Sequence, residues 1–230
     1  MTSAGLFASG LTRSFGGRVV LAGVDLDIPA GTLAVMEGAN GAGKTTLLRI
    51  FATVVRPDGG QAQVAGHDVA RAGGRVRERI GVAFVNERSL FWRLSGRENL
   101  QLFARTRGVP RPDVARQVEQ LLDELELGEI APRRVADLSA GQRQRLIIAR
   151  AGLGAPQALL IDEPLRGLDE AGIATIVAFL RRRAAAGACV LVTAPKADEL
   201  EAEADVLLRL RDGAVHPWHE PEPEAQRASA

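Results

Sequence analysis

The sequence predicts an α/β protein with a mainly parallel sheet, preceded by an antiparallel β region and interrupted by a helical insert. Three observations carry this. Residues 5 to 38 read as three strands joined by very short turns, which favours antiparallel pairing. Between roughly 87 and 152 the apolar residues recur at helical spacing. From Ala158 onward apolar strands and helices alternate, a pattern that a covered parallel sheet accommodates.

The first strands are LFASGLTRSF, VVLAGVDLDI and TLAVMEG, punctuated by Gly16-Gly17 and by Pro29-Ala30-Gly31. A glycine-rich loop then opens a helix from Lys44 to about Val55, and PDGGQAQVAG supplies a turn and a short strand. Ser95 and Glu98 have the spacing of a capping box, in which each side chain covers a free backbone N–H at a helix start. DVARQVEQLLDELEL places Val114, Val118, Leu121, Leu122 and Leu125 on one helical face, a stripe for core packing. Strand ALLID, helix GIATIVAFLRRR ending at Gly187, strand CVLVT, helix ADELEAEA and strand VLLRL follow, the last turning at Asp212-Gly213. Residues 1–213 form the expected folded domain, and 214–230, rich in Pro and Glu, are expected to be a disordered tail.

Composition narrows the function classes. Of 230 residues, 46% are hydrophobic and 25% charged, enough for a sizeable core, and 29 basic residues against 28 acidic ones give a net charge of +1. No global field points to nucleic acid or acidic lipid, and no nucleic-acid partner is expected. The one cysteine, Cys189, sits in an apolar run and reads as a buried small hydrophobe. No apolar run approaches the roughly 18 to 20 residues that cross a bilayer, so the expected location is cytoplasmic.

GANGAGKT, Gly38 to Thr45, sets two glycines around four residues and then Lys and Thr, between a strand and a helix. Such a loop converges its backbone N–H groups on phosphate oxygens, and the helix N-terminus adds a favourable dipole. Gly38, Ala39, Asn40, Gly41, Ala42, Gly43, Lys44, Thr45 and Thr46 are the candidate ATP-binding residues, with Lys44 toward the β- and γ-phosphates and Thr45 toward Mg²⁺. Strand, loop and helix in this order resemble the core of a P-loop NTPase, which is the expected fold. ALLIDEP ends an apolar strand in two carboxylates: Asp162 is placed to hold Mg²⁺, and Glu163 to orient or deprotonate the attacking water. In DLSAGQRQRL, Ser139 is a candidate N-cap whose helix offers a second anion site.

Leu138, Ser139, Ala140, Gly141 and Gln142, between the phosphate loop and the two-acid strand, resemble the signature motif of ATP-binding cassette (ABC) proteins. The resemblance covers residues 4 to about 213 and implies the nucleotide-binding subunit of an ABC transporter. It implies a second ABC subunit as partner, identical or not. Each ATP is then held between one subunit's phosphate loop and the other's Ser139, Ala140, Gly141 and Gln142. It further implies that Phe15 stacks on adenine, the rival being a buried strand aromatic, and that Asp169 of GLDE crosses the dimer interface while also serving as a helix N-cap. GVAFVNERSLFWRLSGRENL resembles the version found in exporter cassettes, with Phe91, Trp92 and Arg93 in the groove where an integral membrane permease docks; the rival is that the aromatics pack inside. The protein would then be peripheral on the cytoplasmic face of the membrane.

Two positions depart from the family pattern. Asn86 stands where a glutamine usually contacts Mg²⁺ and water, one methylene short, with Glu87 nearby. Ala194 stands where a histidine usually contacts the γ-phosphate, and His67, His216 and His219 lie elsewhere in the sequence. Lys196 is the residue that could reach the phosphate instead, a flexible cation that would neutralise charge without fixing water. A preorganised contact of this kind contributes on the order of 10²- to 10³-fold in rate. The expected function is an ATPase subunit that energises export through a separate membrane subunit, with hydrolysis weakened in its own site. The alternatives are a nucleotide-gated assembly or regulatory subunit, and a soluble ABC ATPase without transport, which 230 residues leave little room for.

Overall fold

A computed structural model describes residues 5–84 and 89–218. Two sheets form from the strand signals. β1 (Leu6–Phe15) and β2 (Arg18–Ile28) make an antiparallel hairpin whose two turn residues, Gly16 and Gly17, both have positive φ, as the tight turn that matches strand twist requires. β4 (Gly59–Val64) and β5 (His67–Asp68) complete this sheet in the order β2-β1-β4-β5. The second sheet runs β10-β9-β3-β8-β7-β6. Its members are β3 (Leu33–Glu37), β6 (Ile80–Ala83), β7 (Ala158–Asp162), β8 (Cys189–Ala194), β9 (Val206–Arg211) and β10 (Ala214–Pro217), parallel except for the β9–β10 hairpin.

The central strands are apolar throughout because both faces are covered. Leu33, Val35, Leu159, Ile161, Val190 and Val192 pack toward α3 (Gly96–Thr106), α4 (Arg111–Glu124), α5 (Ala140–Gly152) and α6 (Glu170–Ala185). Their neighbours Ala34, Met36, Ala158, Leu160, Cys189 and Leu191 face the other way, against α1 (Lys44–Phe51) and the antiparallel sheet. Every residue of the α4 stripe is buried. Cys189 is buried as expected; its thiol donates to the Ile28 carbonyl at 3.6 Å, and burial pushes its pKa up to about 12. Both capping residues, Ser95 and Ser139, make the reciprocal pair of bonds with Glu98 and Gln142.

Four expectations need correction, and two elements were not foreseen. Pro29-Ala30-Gly31 does not close a hairpin: it carries the chain from one sheet into the other, so β2 and β3 are not paired. The first helix stops at Phe51, before Thr53 turns into the left-handed region at φ 62°. ADELEAEA yields only a single 3₁₀ turn, Glu201–Glu203, because Ala197 and Leu200 are the buried anchors and the acidic residues after them have nothing to pack on. Residues 214–217 form β10 against β9, with Val215 and Trp218 packed on the two cores. Helix α2 (Gly73–Arg79) and β6 were not anticipated.

Candidate functional site

The C-terminal edge of the parallel sheet gathers most of the singled-out residues. Between β3 and α1 the chain wraps through Gly38 to Gly43, and two of these glycines are forced. A Cβ on Gly38 would sit 2.6 Å from the Leu210 carbonyl oxygen, and Gly43, at φ 109°, would crowd Leu21 and Val20 at 3.0 Å. Gly43 caps α1 without a side chain, so the first N–H groups of that helix are left to a ligand. Lys44 is buried, and its Nζ donates to the carbonyls of Gly38 and, at 3.2 Å, Ala39. Burial lowers its pKa, against the opposing pull of the Glu163, Asp162 and Glu37 carboxylates.

Three elements meet at Asp162. The Thr45 hydroxyl of α1 donates to Oδ2 at 2.7 Å and the Thr193 hydroxyl of β8 donates to Oδ1 at 2.5 Å. Asp162 and Thr193 are both buried. Sequence reasoning missed Thr193 as a partner; its adjacency follows from the β7–β8 register, which aligns Asp162 with Thr193. Glu163, one residue on, lies in the left-handed region at φ 44°, its N–H held by the Thr193 carbonyl at 2.9 Å. Its carboxylate is 3.7 Å from Arg166. Asn40, Glu163, Gly167, Ala194 and Lys196 line one cavity of about 560 Å³. Ala194 presents only its methyl there, and neither His67 nor His216 lines that cavity. Asn86, Glu87 and His219 lie outside the described residues.

The helix start at Ser139 is elsewhere. Ser139, Gly141, Gln142, Gly167, Leu168 and Asp169 line a second groove, which shares Gly167 and Leu168 with that cavity, and a Cβ on Gly141 would come within 3.0 Å of Leu168. Asp169 caps α6 by accepting the Gly172 N–H at 2.9 Å. Phe15 is exposed, which removes the buried-aromatic reading, and the Arg13 guanidinium lies 4.4 Å from its ring centroid. Arg13 in turn pairs with Asp58 at 2.6 Å. Phe91 and Trp92 are also exposed, while the buried Asn99, another residue the sequence did not flag, bonds both the N–H and the carbonyl of Phe91.

A family model described as "ABC transporter" matches residues 21–166, more than half of the chain. The chain belongs to the ABC transporter family. The ABC subunit is 35% identical over 215 residues to the daunorubicin resistance ATP-binding protein DrrA3 of Streptomyces coeruleorubidus, covering 94% of this chain and 68% of the relative. It is 37% identical to the daunorubicin/doxorubicin resistance ATP-binding protein DrrA of Streptomyces peucetius, over 90% of this chain and 62% of that one. Among solved structures, one described as the ATP-binding subunit of an ABC transporter superposes with a TM-score of 0.82 at 26% identity, covering 93% of this chain and 90% of its own. The ABC subunit is thus an ATP-binding cassette of the ATP-hydrolysing class, built as an α/β domain with an antiparallel sheet and a helical insert. Among the described residues no helix is long and apolar enough to cross a membrane.

Proposed function

We propose that the ABC subunit energises export through a separate integral membrane permease, and that its own phosphate site hydrolyses ATP slowly. ATP would lie along Gly38 to Thr46 with its adenine on Phe15 and its β- and γ-phosphates at Lys44. The observation that carries the slow rate is the end of β8: Ala194 puts a methyl group into the cavity shared by Asn40 and Glu163. No imidazole there can align water with Glu163.

The oxygen donors of Thr45 and Asp162 suit Mg²⁺, which binds proteins through one or two such side chains and takes its other ligands from phosphate and water. When bound, Mg²⁺ supplies charge neutralisation at the β- and γ-phosphate oxygens. Thr45 and Asp162 would hold it, and Thr193 fixes Asp162 from the opposite side. Glu163 accepts the proton of the attacking water, and its strained backbone keeps the carboxylate turned into the cavity.

Ser139, Ala140, Gly141 and Gln142 line a groove apart from the phosphate loop, which supports their acting on the nucleotide of a second ABC subunit. Asp169 beside them would cross that interface. The exposed Phe91 and Trp92, with Arg93, form the surface for the permease, which would bring the subunit to the cytoplasmic face of the membrane. A nucleotide-gated regulatory subunit with little turnover is the second reading, favoured by the same Ala194.

Steady-state ATP turnover of the chain, of Ala194→His and of Glu163→Gln tests this. The histidine is expected to raise kcat by about tenfold or more, and Glu163→Gln to lower it by about 10²-fold while nucleotide binding persists. A fast unmodified enzyme that the histidine leaves unchanged would overturn the slow-site reading.

A further inference from the structure

β3 ends in a carboxylate, Glu37, immediately before the phosphate loop and mostly out of solvent. A negative charge beside a triphosphate site would repel the ligand unless its own partners neutralise it. Its partners show what offsets that cost. Oε2 accepts the Ala197 N–H at 3.0 Å, and Oε1 lies 3.5 Å from the Arg209 guanidinium, which itself sits 4.8 Å from the Trp218 ring. Strand register places the three side by side, Ala194 on β8 and Arg209 on β9 flanking Glu37.

The loop after β8 is therefore tied to the phosphate loop at both ends. The Gly38 N–H donates to the Ala194 carbonyl at 3.2 Å, and Glu37 takes the Ala197 N–H. Only Pro195 and Lys196 lie between these bonds, both exposed, and both line the cavity that contains Asn40 and Glu163. A lysine carries a long, entropically costly side chain, and fixing its backbone on both sides lowers the cost of using it.

We propose that Glu37 is a positioning residue: by holding the Ala197 N–H it sets Lys196 at the cavity edge, where the ammonium meets the γ-phosphate that no side chain at Ala194 can reach. Such a contact recognises the third phosphate and so separates ATP from ADP. It does not orient water, and it coexists with slow turnover. The inference rests on nucleotide occupying the phosphate loop as proposed above, but not on the rate.

Calorimetric titration of the full chain with ADP and with a non-hydrolysable ATP analogue, each with magnesium, gives the ratio of the two dissociation constants. Glu37→Leu and Lys196→Ala are each expected to lower the preference for the ATP analogue about fivefold, leaving ADP affinity within about twofold. Glu37→Gln, which keeps an acceptor for the Ala197 N–H, should retain most of the preference. The Glu37→Leu, Lys196→Ala double variant should lose no more than either single one. An unchanged ratio in Lys196→Ala, additive losses in the double variant, or a parallel loss of both nucleotides in Glu37→Leu would each overturn the proposal. Failure of the unmodified chain to bind ADP would instead overturn the phosphate-site reading beneath it.

Discussion

β7 and β8 pair residue for residue in parallel, and both are buried along their whole length. Their ends differ. β7 finishes in Asp162, which takes bonds from two other elements, and then in Glu163, whose backbone is strained. β8 contributes the Thr193 hydroxyl to its neighbour's site and then stops at a methyl group. The scaffold treats the two strands alike, and the chemistry is decided by the few side chains at each end.

The sharpest way to break the contrast is to empty the β7 end. Asp162→Asn removes the charge that faces Thr45 and Thr193, and magnesium-dependent ATP turnover should fall by about 10²-fold or more, with a raised magnesium requirement in a titration. If turnover instead stays within a fewfold of the unmodified chain, β7 holds no more chemistry than β8.

A smaller effect tests how far the β8 end serves β7. Thr193→Val keeps the shape and leaves Asp162 Oδ1 without its donor. The expected cost is about 2 kcal/mol, a fall in Tm of roughly 4 to 8 °C by calorimetry, together with about a fivefold loss of turnover.

The smallest expected effect concerns strain. Glu163 occupies φ 44°, which costs a residue with a Cβ about 1 kcal/mol and a glycine almost nothing. Glu163→Gly and Glu163→Ala should both be slow, but chemical denaturation should find the glycine variant about 1 kcal/mol more stable than the alanine one. Equal stability would mean that the β7 end stores no strain.

What could be read from the sequence was local. Continuous apolar runs marked β7 and β8, Ser139 and Asp169 announced their helices, and the glycine spacing of the phosphate loop fixed α1 and its neighbouring strand. What escaped depends on distant neighbours. β6 is four residues long, and its Gly81 reflects packing against α5, where a Cβ would lie 1.9 Å from the Ala151 carbonyl oxygen. The Glu37 contacts with Ala197 and Arg209 join segments far apart in the chain, as does the pairing of Thr193 with Asp162. Residues 214–217 looked like tail because the stretch they open is rich in Pro and Glu, whereas pairing with β9 decides their fate. The departure at Ala194 was legible because it is an absence within a recognised pattern. The tie that holds Lys196 beside it was not, since that depends on Glu37, 160 residues before Ala197.

Cys189, at the first position of β8, is the chain's one sulfur nucleophile, and its environment keeps it in the unreactive thiol form. The protein is therefore already a blank background for cysteine-directed spectroscopy. A dye or spin label attached to a cysteine introduced at an exposed position such as Trp92 would report from that position alone. Slow modification of Cys189 itself would then time the opening of the sheet.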